Sequence, residues 1–338
     1  MTTFRESSLP NKNVTTLRGL IFNEKTQIHF IMPTANFIVT SLPAYVEENR
    51  DLLLKNFGLV GGSIRNRIGI QTGVKLKENL NYLEVAPTLQ DGLNCELEPA
   101  GDVTLTNREI ETAWIEVLIS ICPKKLVGKW AEYLVRANAN AESLPFEQFI
   151  IDGFIAEVNR KIEKLIFQGD KSQSSNTDLK WIDGFVKVFK TDGVQVSAPE
   201  AATTILAKLQ ALYAGMDDYT LERGGEIYVS PANYRAFLME LVTANLYHYP
   251  SAESGSFPKE YFLPGTDVKV VMSPGLEGVN NIALASYPDN LRYGCDMEND
   301  QEDIKVKYDD IKEVFYVKAL WNSGVQVAFP GKAYWMTI

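Results

Sequence analysis

The stretch from Leu144 to Phe189 constrains this chain more than any other. Pro145 suits the first turn of a helix, where its missing amide costs nothing, and Ser143 just upstream is a ready cap. Phe146, Ile150, Phe154, Val158, Ile162 and Leu165 then recur three or four apart, and Phe149 and Ile166 widen the stripe. Glu147, Asp152, Glu157, Arg160, Lys161 and Glu163 fall on the other faces. The spacing predicts one amphipathic helix ending at Gln168, roughly 36 Å long at 1.5 Å per residue. Gly169 is expected to supply a left-handed stop, followed by Asp170, a Ser/Asn-rich loop and a short apolar strand through Leu179–Phe185. Such a helix is long for a compact catalytic domain and suits a strut.

A chain of 338 residues, 45% hydrophobic, can bury a sizeable core, and its length predicts two or more lobes. The net charge is -10, the isoelectric point is near 5.0, and no basic run exceeds two residues. Gripping nucleic-acid phosphates needs a positive surface, so that function class is excluded. Cys95, Cys122 and Cys295 are far apart and lack Cys-x-x-Cys spacing, which reads as buried reduced thiols. The first residues, Met1-Thr2-Thr3-Phe4-Arg5-Glu6, show no signal-peptide pattern, and no apolar run is long enough to span a bilayer. A soluble protein made in the cytoplasm is expected.

Residues 1 to about 42 read as an extended polar arm with apolar patches at Leu20–Phe22, Ile28–Met32 and Phe37–Val39, and Pro43 opens a short helix. Such an arm must drape over the body or dock on a neighbour. From 69 to 121 the pattern predicts a long hairpin. Leu80, Tyr82, Leu83 and Val85 lead to a turn-rich tip with Asp91-Gly92, Pro99 and Gly101-Asp102, and Val103–Thr106 and Trp114–Ile119 follow. Its apolar faces are too narrow for a core of their own, so it is expected to lie on another subunit.

A βα-rich lobe follows. Ser197-Ala198-Pro199-Glu200 reads as a capping box opening a helix through Ile205, Leu206, Leu209 and Leu212 to a Gly215 stop. Glu226–Val229 reads as a strand running into Ser230-Pro231, a second cap, and a helix to about Tyr247. Asp267–Met272 and Asn281–Ala285 are expected strands separated by a Pro274-Gly275 turn. Glu313–Trp321 and Gly324–Phe329, joined by Asn322-Ser323, predict a closing β-hairpin.

Chemistry-bearing patterns are sparse. His29 lies in an apolar patch, and His248 falls at a helix end, where a cation complements the dipole. Gly61-Gly62-Ser63 lacks the closing glycine of a nucleophile elbow. The acidic run Asp296, Glu298, Asp300, Glu302, Asp303 has Gln301 where a calcium loop needs glycine and Lys307 at the twelfth position, so a solvated turn is expected. Gly58, Gly61, Gly62, Gly69 and Gly73 match neither a Walker loop nor a dinucleotide fingerprint. No catalytic, cofactor-binding or metal residue is assigned, and no cofactor is expected. An α/β enzyme with an acidic site at Asp296–Asp303 is the rival from another class; it leaves the arm and the hairpin unexplained.

The order of parts resembles the major capsid proteins of tailed phages, with the α+β Hong Kong 97-type fold. The local patterns are Leu118–Leu126 leaving the hairpin, Pro145–Asp170 with Asp183-Gly184-Phe185, Tyr228–Pro231 with a helix ending Ala244–His248, and Asn290–Asp296. They are similar to the crAss-like and Bacteroidetes-phage branch. The resemblance implies an N-terminal arm and short helix (1–57), an extended E-loop hairpin with its base (58–125) and a peripheral domain with a long spine helix (126–177). An axial domain (178–290) and C-terminal strands returning to the peripheral domain (291–338) complete it. It implies self-assembly in hexamers and pentamers into an icosahedral or prolate head shell that encloses double-stranded DNA without sequence-specific binding. A separate scaffolding protein, a portal and head-decoration proteins are the implied partners, the virion is the implied location, and no membrane is involved. Lys75 and Lys77 occupy no recognisable cross-linking position, so that chemistry is not carried over. An encapsulin-type nanocompartment shell is the nearest alternative; the arm of about 40 residues argues against it.

Overall fold

The computed structural model describes residues 64–90, 101–122, 146–174, 178–246, 259–296 and 303–338. The N-terminal arm, the helix at Pro43, most of the hairpin tip, His29, His248, Cys95 and residues 297–302 lie outside the described residues.

In chain order the strands are β1 (Gly69–Gln71), β2 (Lys77–Pro87), β3 (Gly101–Glu111) and β4 (Ala113–Ile121). Helix α1 (Phe146–Gln168), α2 (Phe185–Asp192), β5 (Val194–Gln195), α3 (Ile205–Ala214) and the short α4 (Asp218–Glu222) follow. Then come β6 (Glu226–Val229), α5 (Pro231–Thr243), β7 (Glu260–Phe262), β8 (Lys269–Met272), β9 (Ile282–Ser286) and β10 (Leu291–Gly294). The last strands are β11 (Asp303–Asp309), β12 (Val314–Val327) and β13 (Tyr334–Thr337).

The α1 bounds match the periodicity. Ile150, Phe154, Val158, Ile162, Leu165 and Ile166 are buried, in one core with Phe315, Val317, Trp321 and Val327 of β12. The buried face is wider than the stripe, because Ile151, Ile155 and Phe167 are also inside. Glu163, expected on a polar face, is buried as well, and its carboxylate accepts the Ile64 amide at 3.3 Å. A helix enclosed on two sides needs polar groups inside to satisfy backbone arriving from elsewhere.

Three features around the helix end differ from expectation. Gly169 is not left-handed; its need is for close approach, since a Cβ there would lie 2.5 Å from the Ile182 carbonyl oxygen. Gly184 faces it, its amide donating to the Gly169 carbonyl at 2.8 Å. The segment Leu179–Gly184 is therefore an irregular chain folded back on α1 rather than a strand, and Phe185 opens a helix. Phe185, Val188 and Phe189 are buried at helical spacing. A short apolar run cannot by itself distinguish strand from buried helix.

Nor is Asn322-Ser323 a turn. Strand β12 runs 14 residues without a break, and Trp321 to Val325 are all buried. It pairs antiparallel with β4 from Phe315↔Ile121 to Ser323↔Ala113, with β11, and then with β10, beside which β1 lies parallel. Asn322 Nδ2 donates to the carbonyls of Val74 (2.7 Å) and Lys75 (3.0 Å). Tertiary partners have replaced the local turn that the dipeptide favours.

The second sheet has six strands among the described residues, in the order β5-β13-β9-β6-β8-β7. Ile227, Val229, Ala283 and Ala285 on one face pack with Leu209, Leu212, Phe237 and Leu241 of α3 and α5. Tyr228, Ile282 and Leu284 on the other belong to the core around α1 and α2. The period of two thus joins both cores through one sheet. Ser230 caps α5, accepting the Asn233 amide at 3.2 Å with Pro231 at the first position, and the helix stops at Thr243. The expected capping box at Ser197 does not start α3. Residues 197–204 are irregular, Thr204 is the cap, and the Glu240 carboxylate takes the Ile205 and Leu206 amides at 3.0 and 2.6 Å.

Candidate assembly surfaces

Strands β2 and β3 form a hairpin in register from Lys77↔Glu111 to Pro87↔Gly101. Trp114–Ile119, expected in its second arm, lies instead in β4 beside β12. The root is well held. Leu80 and Ile110 are buried with Val74, and Tyr82 meets Phe329 at a tilt, ring centroids 4.8 Å apart. Arg108 pairs with Asp192 at 2.6 Å, Lys171 with Glu111 at 2.6 Å, and Gln326 Nε2 donates to the Glu109 carbonyl at 2.8 Å. Further out, Val103 is 61%, Leu105 65% and Leu89 96% exposed.

A second surface is concave. Between α1 and β4 lies a mostly apolar groove of about 650 Å³, lined by Val117, Ile119, Phe154, Val158 and Trp181. Its rim is charged, with Glu157 paired to Arg160 (2.9 Å) and Lys161 to Asp178 (2.7 Å). A bare ridge and an open apolar trough on one chain are surfaces that association can cover.

The chain entering from the N-terminal side is anchored at the junction of both cores. Ile64, Arg65 and Ile68 are buried. Arg65 donates to Asn159 Oδ1 of α1 at 2.9 Å and lies over the Tyr293 ring. Arg67 bonds Glu226 of β6 at 2.9 Å and also pairs with Glu260 of β7. Burial works against the Arg67 charge, but these carboxylates more than restore it, raising its pKa. Sequence reasoning passed over these arginines; the alternation Ile64-Arg65-Asn66-Arg67-Ile68 was the available signal.

Two further ion clusters brace the body. The Lys187 ammonium and the Ser172 hydroxyl and amide hold the Asp170 carboxyl at about 2, and Lys187 also reaches Asp183 at 2.8 Å. Burial would raise the Asp217 carboxyl, but Lys332, Thr220 and Tyr334 bring it down to about 2. Burial, with Tyr219 nearby, pushes the Tyr287 hydroxyl up to about 12. These groups are knitted into pairs and present no open reactive constellation. Of the acidic run, Asp296 is buried rather than solvated, and Glu298, Asp300 and Glu302 lie outside the described residues. Among the described residues no cluster of metal-ligating side chains occurs, and no helix is long and apolar enough to cross a membrane. Cys295 is buried and Cys122 half-buried, neither in a disulfide.

No protein-family model and no curated protein sequence matches the chain. Solved structures do. A chain of the satellite phage P4 procapsid, which includes the size determination (Sid) protein, matches with a TM-score of 0.57 at 12% identity, over 86% of this chain and 90% of its own. A chain of Gordonia phage Cozz matches with a TM-score of 0.50 at 13% identity, over 81% and 85%. At such identities the likeness is one of fold, and the chain has the α+β, Hong Kong 97-type capsid fold.

Proposed function

We propose that this chain is the major capsid protein of a tailed phage, self-assembling into the icosahedral or prolate head shell that encloses double-stranded DNA. The observation that carries this reading is the hairpin: its outer half exposes Val103 and Leu105, which the described residues of its own subunit leave uncovered. Joined to a capsid fold, such a projection is an assembly device. Heterologous contacts that close produce rings, here hexamers and pentamers. The net charge of -10 suits a wall that confines DNA without adhering to it.

In this reading the hairpin is the E-loop and α1 the spine helix of the peripheral domain. The six-stranded sheet with α3 and α5 is the core of the axial domain, and residues 1–57 are the N-terminal arm. The subunit is structural, with no catalytic residue assigned. It belongs to the crAss-like and Bacteroidetes-phage branch, is assembled in the host cytoplasm with a separate scaffolding protein, and ends in the virion beside portal and decoration proteins. Expression with a scaffold from the same genome, followed by electron microscopy, tests the reading. Closed shells support it; a monomer under every assembly condition overturns it.

A further inference from the structure

Gly153 stands in the interior of α1, and no contact among the described residues accounts for it. A glycine inside a helix costs stability relative to alanine, so its place there calls for a bend or a close approach. Gly153 does not have a positive φ, and a Cβ built on it would meet nothing within 4 Å beyond the helix's own backbone. Gly275 is the contrast: a Cβ there would press into the Phe167 ring of α1. Gly153 lines the apolar groove between α1 and β4, together with Val117, Phe154 and the half-exposed Trp181. Space is thus left open in the groove, at the one point of the α1 wall where the side chain is missing.

We propose that the groove is the seat of the chain's own segment 123–145, which packs as an amphipathic helix across Gly153. That segment leaves one wall of the groove at the end of β4 and enters the other at the start of α1. Leu126, Trp130, Tyr133 and Ala137 recur three or four apart, and Val127 and Leu134 widen the stripe. Lys125, Lys129, Glu132 and Arg136 fall on the opposite side. A helix from Lys125 to Ala137 would run about 20 Å, matching the β4 wall from Ile115 to Ile121. Residues 138–145, extended, reach roughly 26 Å, enough to rejoin α1 from either end of the groove. The segment carries four cations against two carboxylates, and the groove lining carries Glu116, Glu157 and Asp178 against Lys161. Those carboxylates already have partners in the subunit, so charge orients the segment while its apolar stripe holds it. Being tethered to both walls, the segment meets the groove at an effective concentration in the millimolar range, which favours it over any free occupant. Trp130, the largest side chain of the stripe, needs a position without a Cβ, and Gly153 provides it.

Trypsin reads this in the unassembled full chain, because Lys124, Lys125, Lys129 and Arg136 all lie in the segment. Gly153→Trp fills the groove, Trp130→Glu spoils the stripe, and Asp152→Trp adds the same bulk on the exposed side of α1, away from the groove. Cleavage at Lys129 and Arg136 is followed by mass spectrometry, and thermal melts check folding. The expected result is at least a tenfold faster cut for Gly153→Trp and Trp130→Glu, with Asp152→Trp cut like the unmodified chain and every rate independent of subunit concentration. Should Gly153→Trp fail to fold, Trp130→Glu decides. A second arm uses Gly153→Ala, which by helix propensity alone raises the melting temperature. With the segment seated against Gly153, the melting temperature falls instead. Equal cleavage of the unmodified chain and Trp130→Glu, or a raised melting temperature for Gly153→Ala, would overturn the proposal. So would protection that appears only as subunit concentration rises, which would assign the groove to a second copy. None of these measurements depends on shells forming, so the proposal and the capsid reading fail separately.

Discussion

Helix α1 and the β2–β3 hairpin are nearly the same length, about 35 Å each by residue rise, yet they are packed in opposite ways. The helix is enclosed on two sides and shares a core with β12. The hairpin is held at its root by Leu80, Ile110, Arg108 and Tyr82. Length therefore says little about an element's role, whereas the cover on its apolar residues says a great deal. An element covered by its own chain stabilises the subunit; one left bare is available for association.

The largest effect should come from breaking the covered element. Phe154→Ala or Ile162→Ala removes a buried side chain from the α1 core, which typically costs about 2–5 kcal/mol. That is a large share of the roughly 5–15 kcal/mol stabilising a domain. The unassembled subunit should melt markedly lower. Within the hairpin the same logic divides root from tip. Ile110→Ala should also cost about 2–5 kcal/mol, whereas Leu105→Ala should leave the melt unchanged. Equal effects from these two would erase the distinction between halves.

Acid probes a smaller contribution. The Asp170 carboxyl is held below its ordinary value of 3.8, at about 2, so its stabilisation is complete above 3.8 and is lost as pH falls through 2. Lys187→Met should lower stability at neutral pH and flatten the decline across that window, measured by urea titrations at each pH. The smallest effect should be Glu157→Ala: the residue is exposed, and its pair with Arg160 lies on the groove rim. Its subunit melt should match that of the unmodified protein.

How much of this was legible follows from what each residue's neighbours in sequence could reveal. Helix α1 was readable because 23 residues repeat one period, and Ser230-Pro231 because a cap is a local device. Asn322-Ser323 misled because a turn dipeptide lay inside a strand whose hydrogen-bond partners, Val74 and Lys75, are nearly 250 residues away. Glu163 misled for the same reason: its partner at Ile64 is 99 residues distant. Gly169 looked like a left-handed stop, but its need is set by Gly184 folding back upon it. Among the assembly surfaces, the hairpin was visible as alternation around a polar tip. The groove was not, since β4 and α1 form it only once both have packed.

The most direct test removes the bare element alone. Residues 89–103 are replaced by a short turn, and the product is followed by thermal melting and by electron microscopy after expression with the scaffold. The account predicts a subunit that melts like the unmodified one and forms no normal shells. A deletion that unfolds the subunit, or one that still builds normal shells, would contradict it.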